Sequence, residues 1–141
     1  MATMTDEQRR RFLLEGTRTA ILATVRADGR PHAAPVWFTL DGDDVLFTTA
    51  AATVKGRNLR RDGRATVVVD LQEPPYAYVM LSGTATLSDD PGELRRVATA
   101  VGGRYMGANR AEEFGDRNAV AGELVVRLTP TTILSEGDVS G

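Results

Sequence analysis

Apolar and polar positions divide the chain into short helices and several strands of strand-like periodicity. Residues 6–15 predict a helix that docks through Phe12, Leu13 and Leu14 and stops at Gly16. Residues 19–26 are β-branched and apolar, as in a buried strand. Asp28-Gly29 then supplies the positive φ of a tight hairpin. A second strand is expected over 31–40, a turn at Asp41-Gly42-Asp43, and a third strand over 45–49. Short links make these three an antiparallel meander rather than a βαβ unit. Residues 53–61 read as a short helix ended by Asp62-Gly63, followed by strands over 65–71 and 76–87. Asp90 is a good N-cap, Pro91 suits the first helical position and Glu93 suggests a capping box. Leu94, Val97, Ala98 and Val101 then form one helical face, with Gly102-Gly103 as its expected end. A helical turn or two over 109–117 and a last strand over 123–134 complete the pattern. Six strands joined mostly by hairpins predict a mainly β chain with flanking helices, an antiparallel barrel closed or partly closed. No repeat or linker divides it. One domain over 1–141 is expected, with a helical arm (1–16) and a polar C-terminal tail (135–141).

Composition narrows the chemistry. A chain of 141 residues, 42% of them hydrophobic, is long enough to bury a core. Cysteine is absent, which removes disulfides, thiolate nucleophiles and cysteine metal sites. Seventeen basic against nineteen acidic residues leave a charge of −2, unsuited to general nucleic-acid binding. No apolar run approaches the ~20 residues of a membrane span, and the N-terminus does not read as a signal peptide, so the cytoplasm is the expected location. The single histidine, His32, lacks E-x-x-H or H-x-x-x-H partners and has no G-x-S-x-G elbow to serve. It reads as a hairpin-rim residue. Acidic groups such as Asp41/Asp43/Asp44 read as solvated turn residues. No catalytic side chain and no metal site are expected.

Two segments stand out. Lys55 is the lone lysine among sixteen arginines. It falls with Arg57 and Asn58 in the first turns of the helix expected to start near Thr53, just after the Thr48-Thr49 strand end. Cations at a helix N-terminus oppose the helix dipole, and a bound anion would resolve the conflict, phosphate being the natural candidate. A solvated basic face is the alternative. The second segment, Pro35-Val36-Trp37-Phe38, places the only tryptophan on a strand with two prolines, which marks an edge or a bulge. From spacing alone Trp37 is a core residue; at an edge it could wall a flat-ring pocket or meet another subunit.

Together, residues 21–32, Pro35-Val36-Trp37-Phe38, Leu46-Phe47-Thr48-Thr49 and 55–62 resemble the pyridoxamine 5′-phosphate oxidase-like superfamily. Within it the chain is most similar to the flavin/deazaflavin oxidoreductases that use coenzyme F-420. The likeness continues through 76–79, Arg104-Tyr105-Met106-Gly107 and 125–130. It implies a six-stranded split β-barrel of the FMN-binding type and a homodimer with cofactor sites between subunits. It places the cofactor phosphate at Thr48, Thr49, Thr53, Lys55, Arg57 and Asn58, and the ring along Ala33 to Trp37, including Pro35 and Val36. Tyr78 would approach from the partner. Val54 stands where FMN-binding relatives commonly carry an arginine, so the pattern leans toward F-420, with FMN as the alternative. The resemblance implies hydride transfer to an unsaturated small organic substrate, with an FMN-dependent flavoprotein or a non-catalytic cofactor carrier as other readings. The short C-terminus argues against vitamin synthesis.

Overall fold

The computed structural model describes residues 2–141. Helix α1 (Asp6–Leu14) begins with a capping box in which Thr5 and Gln8 bond each other's backbone amides. It docks through Phe12 and Leu13, whereas Leu14, expected on the same edge, is exposed. Seven strands follow in one sheet: β1 (Ala20–Val25), β2 (Pro31–Val36), β3 (Thr39–Asp41), β4 (Asp44–Ala50), β5 (Arg64–Asp70), β6 (Tyr78–Ser88) and β7 (Glu123–Glu136). Their spatial order is β2-β1-β5-β6-β7-β4-β3, and every neighbouring pair is antiparallel. Helices α2 (Val54–Arg61), α3 (Pro91–Met106) and α4 (Ala111–Asn118) flank it.

The topology dictates the curvature. β2 and β3 lie at opposite edges of the sheet, yet only Trp37 and Phe38 separate them. Three Cα–Cα steps reach about 11 Å at most. The sheet must therefore roll until its two edges nearly meet, which makes a barrel that is split where β2 and β3 fail to pair. The expected single strand over 31–40 is broken for this reason, and the six expected strands become seven. The expected three-strand meander is likewise two separate hairpins, β1–β2 and β3–β4.

Helix α3 seals the seam. Its Arg104 donates to the carbonyls of Phe38 (2.7 Å), Leu13 (2.7 Å) and Gly16 (3.3 Å). The Tyr105 hydroxyl accepts from the Phe38 amide (3.3 Å) and donates to the Arg18 carbonyl (2.8 Å). The bonds to Phe38 satisfy backbone groups at the break in the ladder, and the others satisfy carbonyls at the end of α1 and in the loop before β1. Phe38 itself is fully buried, in a core shared with Leu13, Leu22, Phe47, Val67, Leu81 and Leu128.

Gly102-Gly103 does not end α3, as the local pattern suggested. The helix runs through both to Met106, and Gly107 (φ 102°) follows as its cap. A Cβ at Gly102 would collide with Phe114, and one at Gly103 would lie 3.1 Å from Ala111. The two glycines let α4 approach closely, a need no local pattern reveals. The acids of the 41–44 turn, expected as solvated turn residues, remain partly exposed and are also paired. Asp43 binds Arg9 and Arg10, and Arg127 binds both Asp41 and Asp44. The Arg9 and Arg10 guanidiniums, by hydrogen bonding, hold the Asp43 carboxyl below the usual carboxylate range. The C-terminal tail also begins later than expected. Ser135 is a buried part of β7 whose Oγ accepts from the Met4 amide (3.1 Å).

Because Arg104 ties three carbonyls from separate segments, Arg104→Ala is expected to lower the unfolding free energy by about 2–4 kcal/mol. Urea titration checks this; an unchanged midpoint would mean that the seam closes without the clamp.

Candidate functional site

A cleft of about 370 Å³ opens beside the seam. Its size lies within the range of small-molecule sites. One wall is Pro35, Val36 and Trp37, at the end of β2 and in the break that follows it. The opposite wall is Thr48, Thr49 and Ala50 at the end of β4, with Thr53 and Lys55 at the start of α2. Val101, Asn118 and Glu123 close it. Residues separated by up to 88 positions thus converge because rolling the sheet brings the β2 edge next to β4.

Each wall has a local cause. Trp37 lies in neither strand. Its ring stacks on Tyr105, centroids 4.9 Å apart and planes 4° from parallel, while the residue stays 39% exposed. The expectation of a plain core tryptophan is corrected: one indole face is fixed by α3 and the residue borders the cleft. On β4, alternation sends Phe47 and Thr49 into the barrel, while Leu46 packs with Leu94, Val97 and Val101 of α3. Thr48 points to the same side as Leu46. Burial pushes the Tyr105 hydroxyl up, against the Phe38 amide and the Arg104 guanidinium, so the phenol stays neutral and can both accept and donate.

The three threonines are unequal. Thr53 caps α2: its Oγ accepts from the Gly56 amide (3.1 Å) and donates to the Ala50 carbonyl (2.8 Å). Its one hydrogen being spent, the 3.1 Å contact with Thr49 must be donated by Thr49. Both threonines line the cleft, as expected for the phosphate site, but in this arrangement their hydroxyl hydrogens are engaged within the loop. Among the described residues the Thr48 hydroxyl makes no such bond and remains available. A Cβ at Gly56 would collide with the Ala50 carbonyl, so this tight loop-to-helix turn requires glycine there.

The basic residues divide by helix face. Lys55 faces the cleft and has no ion pair among the described residues. Arg57 lies on the other side of α2, in a separate cleft of about 450 Å³ with Arg26 and Arg61. Asn58 also borders that second cleft but is 4% exposed: its amide donates to Thr24 Oγ1 (3.1 Å) and its Oδ1 accepts from Arg61 (2.9 Å). Asn58 thus pins α2 to β1, and the structure does not bring it or Arg57 to Lys55's cleft. Ala33 is exposed on β2 outside the cleft. Tyr78 lines a third, more apolar hollow of about 500 Å³ with Val68, Leu71, Tyr76 and Val139. Glu123, which sequence reading passed over, enters the Lys55 cleft because β7 pairs it with Ala50. Only that long-range register could have found it. Burial raises its carboxyl above the usual range, against an opposing pull from Lys55. Among the described residues no group of three or more His, Cys, Asp or Glu side chains is placed to hold a metal ion.

A sheet rolled edge to edge with a cleft at its seam defines a split β-barrel. A family model described as pyridoxamine 5′-phosphate oxidase matches residues 5–135, and the chain belongs to that family. Among solved structures, the hypothetical protein Rv2991 of Mycobacterium tuberculosis is similar, with TM-score 0.83 and 26% identity over 94% of this chain and 84% of that one. A structure described as an F420 reductase has TM-score 0.65 and 26% identity over 87% of this chain and 94% of that one. HutZ, the haem storage protein of Vibrio cholerae, has TM-score 0.75 and 18% identity over 98% and 100% of the two chains, a likeness of fold alone. Among the described residues no helix is long and apolar enough to cross a membrane.

Asn58 is a structural residue on this geometry. Asn58→Ala should lower stability by about 1–3 kcal/mol in chemical denaturation, since it strips Thr24 and Arg61 of a buried partner. Undiminished stability would return Asn58 to the list of ligand candidates.

Proposed function

We propose that this protein is a homodimeric oxidoreductase that holds reduced coenzyme F-420 in the Lys55–Trp37 cleft and reduces an unsaturated small organic substrate. The observation that carries the reading is the convergence, on one cleft, of an unpaired lysine at the positive end of a helix and a rigid aromatic wall. The likeness to an F420 reductase supports it, as does Val54 in place of an arginine before Lys55.

The residues fit such a cofactor in a divided way. Lys55 Nζ, the Thr48 hydroxyl and the first amides of α2 would take the anionic phosphodiester. Pro35, Val36 and the Trp37–Tyr105 stack would support the flat ring and keep water from one side of it. When bound, the cofactor supplies a hydride from its ring carbon. The protein's part is orientation: with acceptor and donor held in near-attack geometry, several kcal/mol of the barrier is removed without a nucleophile. The substrate carbon that takes the hydride leaves its neighbour carrying charge, which is neutralised by a proton from water.

A second copy of the chain has a natural seat. Pro35, Ile21, Val68, Met80 and Leu134 stand in register across five strands, as one apolar row on the outer face of the sheet. Ile21 is 43% and Leu134 48% exposed. Pro35 belongs both to this row and to the cleft, so a partner covering the row would also border the cofactor. Double substitution Ile21→Arg and Leu134→Arg is expected to give a folded monomer by sedimentation and circular dichroism. A dimer unaffected by both charges would move the interface elsewhere.

Titration with F-420 and with FMN tests the cofactor directly, by fluorescence. F-420 should bind and FMN should bind more weakly. Lys55→Ala should weaken F-420 about 5- to 150-fold, the equivalent of one charge-assisted contact of about 1–3 kcal/mol. Tight FMN with no F-420 binding would make it an FMN flavoprotein instead. Binding of F-420 with no turnover of enones or quinones would make it a carrier.

A further inference from the structure

The cleft contains a charge that a phosphate site does not need. Lys55 and Glu123 are its two charged lining residues, reaching it from α2 and from the first residue of β7. They influence each other electrostatically, yet no ion pair of 4 Å or less joins them. Among the described residues, the Glu123 carboxylate accepts no hydrogen bond. Its neighbours on the cleft wall, Asn118, Thr48, Thr49 and Val101, are neutral. A ligand anion drawn to Lys55 therefore enters the field of an unpaired carboxylate held in a partly desolvated place.

We infer that Glu123 selects the charge of the ligand's phosphate: the cleft accepts a singly charged phosphodiester and discriminates against a doubly charged phosphomonoester. The inference rests on the proposed cofactor reading and gives it a physical basis. A terminal phosphomonoester such as that of FMN is close to a dianion above pH 7. A phosphodiester such as that of F-420 carries one negative charge. Repulsion from Glu123 scales with ligand charge, as attraction to Lys55 does, so removing the Glu123 charge helps the dianion by twice the free energy it helps the monoanion. Partial burial strengthens the effect, because water screens a half-buried carboxylate less than an exposed one.

The test keeps the ring constant and changes only the phosphate. FMN and its methyl phosphodiester are titrated at pH 8 against the wild-type protein, Glu123→Gln and Glu123→Asp, by flavin fluorescence and calorimetry. The wild type sets the reference ratio of the two affinities. Glu123→Gln should tighten both ligands, the monoester by about the square of the factor found for the diester, for example about tenfold against about threefold. Glu123→Asp, which keeps the charge, should retain the preference. An equal change for both ligands in Glu123→Gln, or none, overturns the inference, and thermal melts establish that each variant is folded. F-420 titrated in parallel separates the two claims. If F-420 binds but the monoester-to-diester ratio ignores Glu123, the charge selection fails and the cofactor reading stands. If F-420 does not bind while the diester preference depends on Glu123, the cofactor reading fails and the charge selection stands.

Discussion

The structure depends on how two sheet edges are brought together at Trp37-Phe38. Strands β2 and β3 end up on opposite flanks of the sheet although only two residues lie between them. That short tether forces the roll, and the roll creates both the barrel core and the cleft. The buried carbonyl and amide of Phe38 would be costly if left unbonded at such a place. Arg104 and Tyr105, adjacent on α3, satisfy both. The Arg104 guanidinium also lies 4.5 Å from the Phe38 ring centre, so one side chain neutralises backbone dipoles and packs on the aromatic they belong to. Desolvation at that position lowers its pKa, but a guanidinium remains charged in any ordinary pH range.

The bias toward arginine acquires a structural meaning in this light. Arg18, Arg61 and Arg104 each donate to backbone carbonyls of a distant or turning segment: Phe12, Val25, and the set at the seam. A planar fork with five donors can join segments in this manner, whereas an ammonium offers a point charge. Arg9, Arg10 and Arg127 use the same fork to bind the acids of the β3–β4 turn. The lone lysine takes part in none of these networks. Its freedom from the scaffold, on a helix whose first turn has no acid, is the main reason to read its cleft as the place where an external anion is held.

Helix α2 shows how one short element divides its duties. Leu59 and Asn58 face inward and fasten it to the barrel, while Lys55 faces the cleft and Arg57 the opposite hollow. The Thr49–Thr53 hydroxyl pair belongs to the fastening, since it caps the helix and uses up its own hydrogens. Small polar residues near a phosphate-like site thus need not be ligands. They can instead set the position of the α2 amides and of Lys55.

Strand-forming runs, hairpin turns and the capped helix at Asp90 were legible along the chain, because each arises from contacts within a few residues. The class of fold followed from them, and Lys55 was singled out by its conflict with the helix dipole, also a local matter. What the sequence could not decide was which strands pair at long range, because register depends on how the whole sheet curls. Strand seven's pairing with β4 carried Glu123 into the cleft, the break at Trp37 divided a run that looks continuous, and close approach of α4 turned Gly102-Gly103 from a stop into a contact. Arg57 and Asn58, within one turn of Lys55, were sent to another surface and to the interior by the 3.6-residue period once the barrel had chosen which face of α2 to bury.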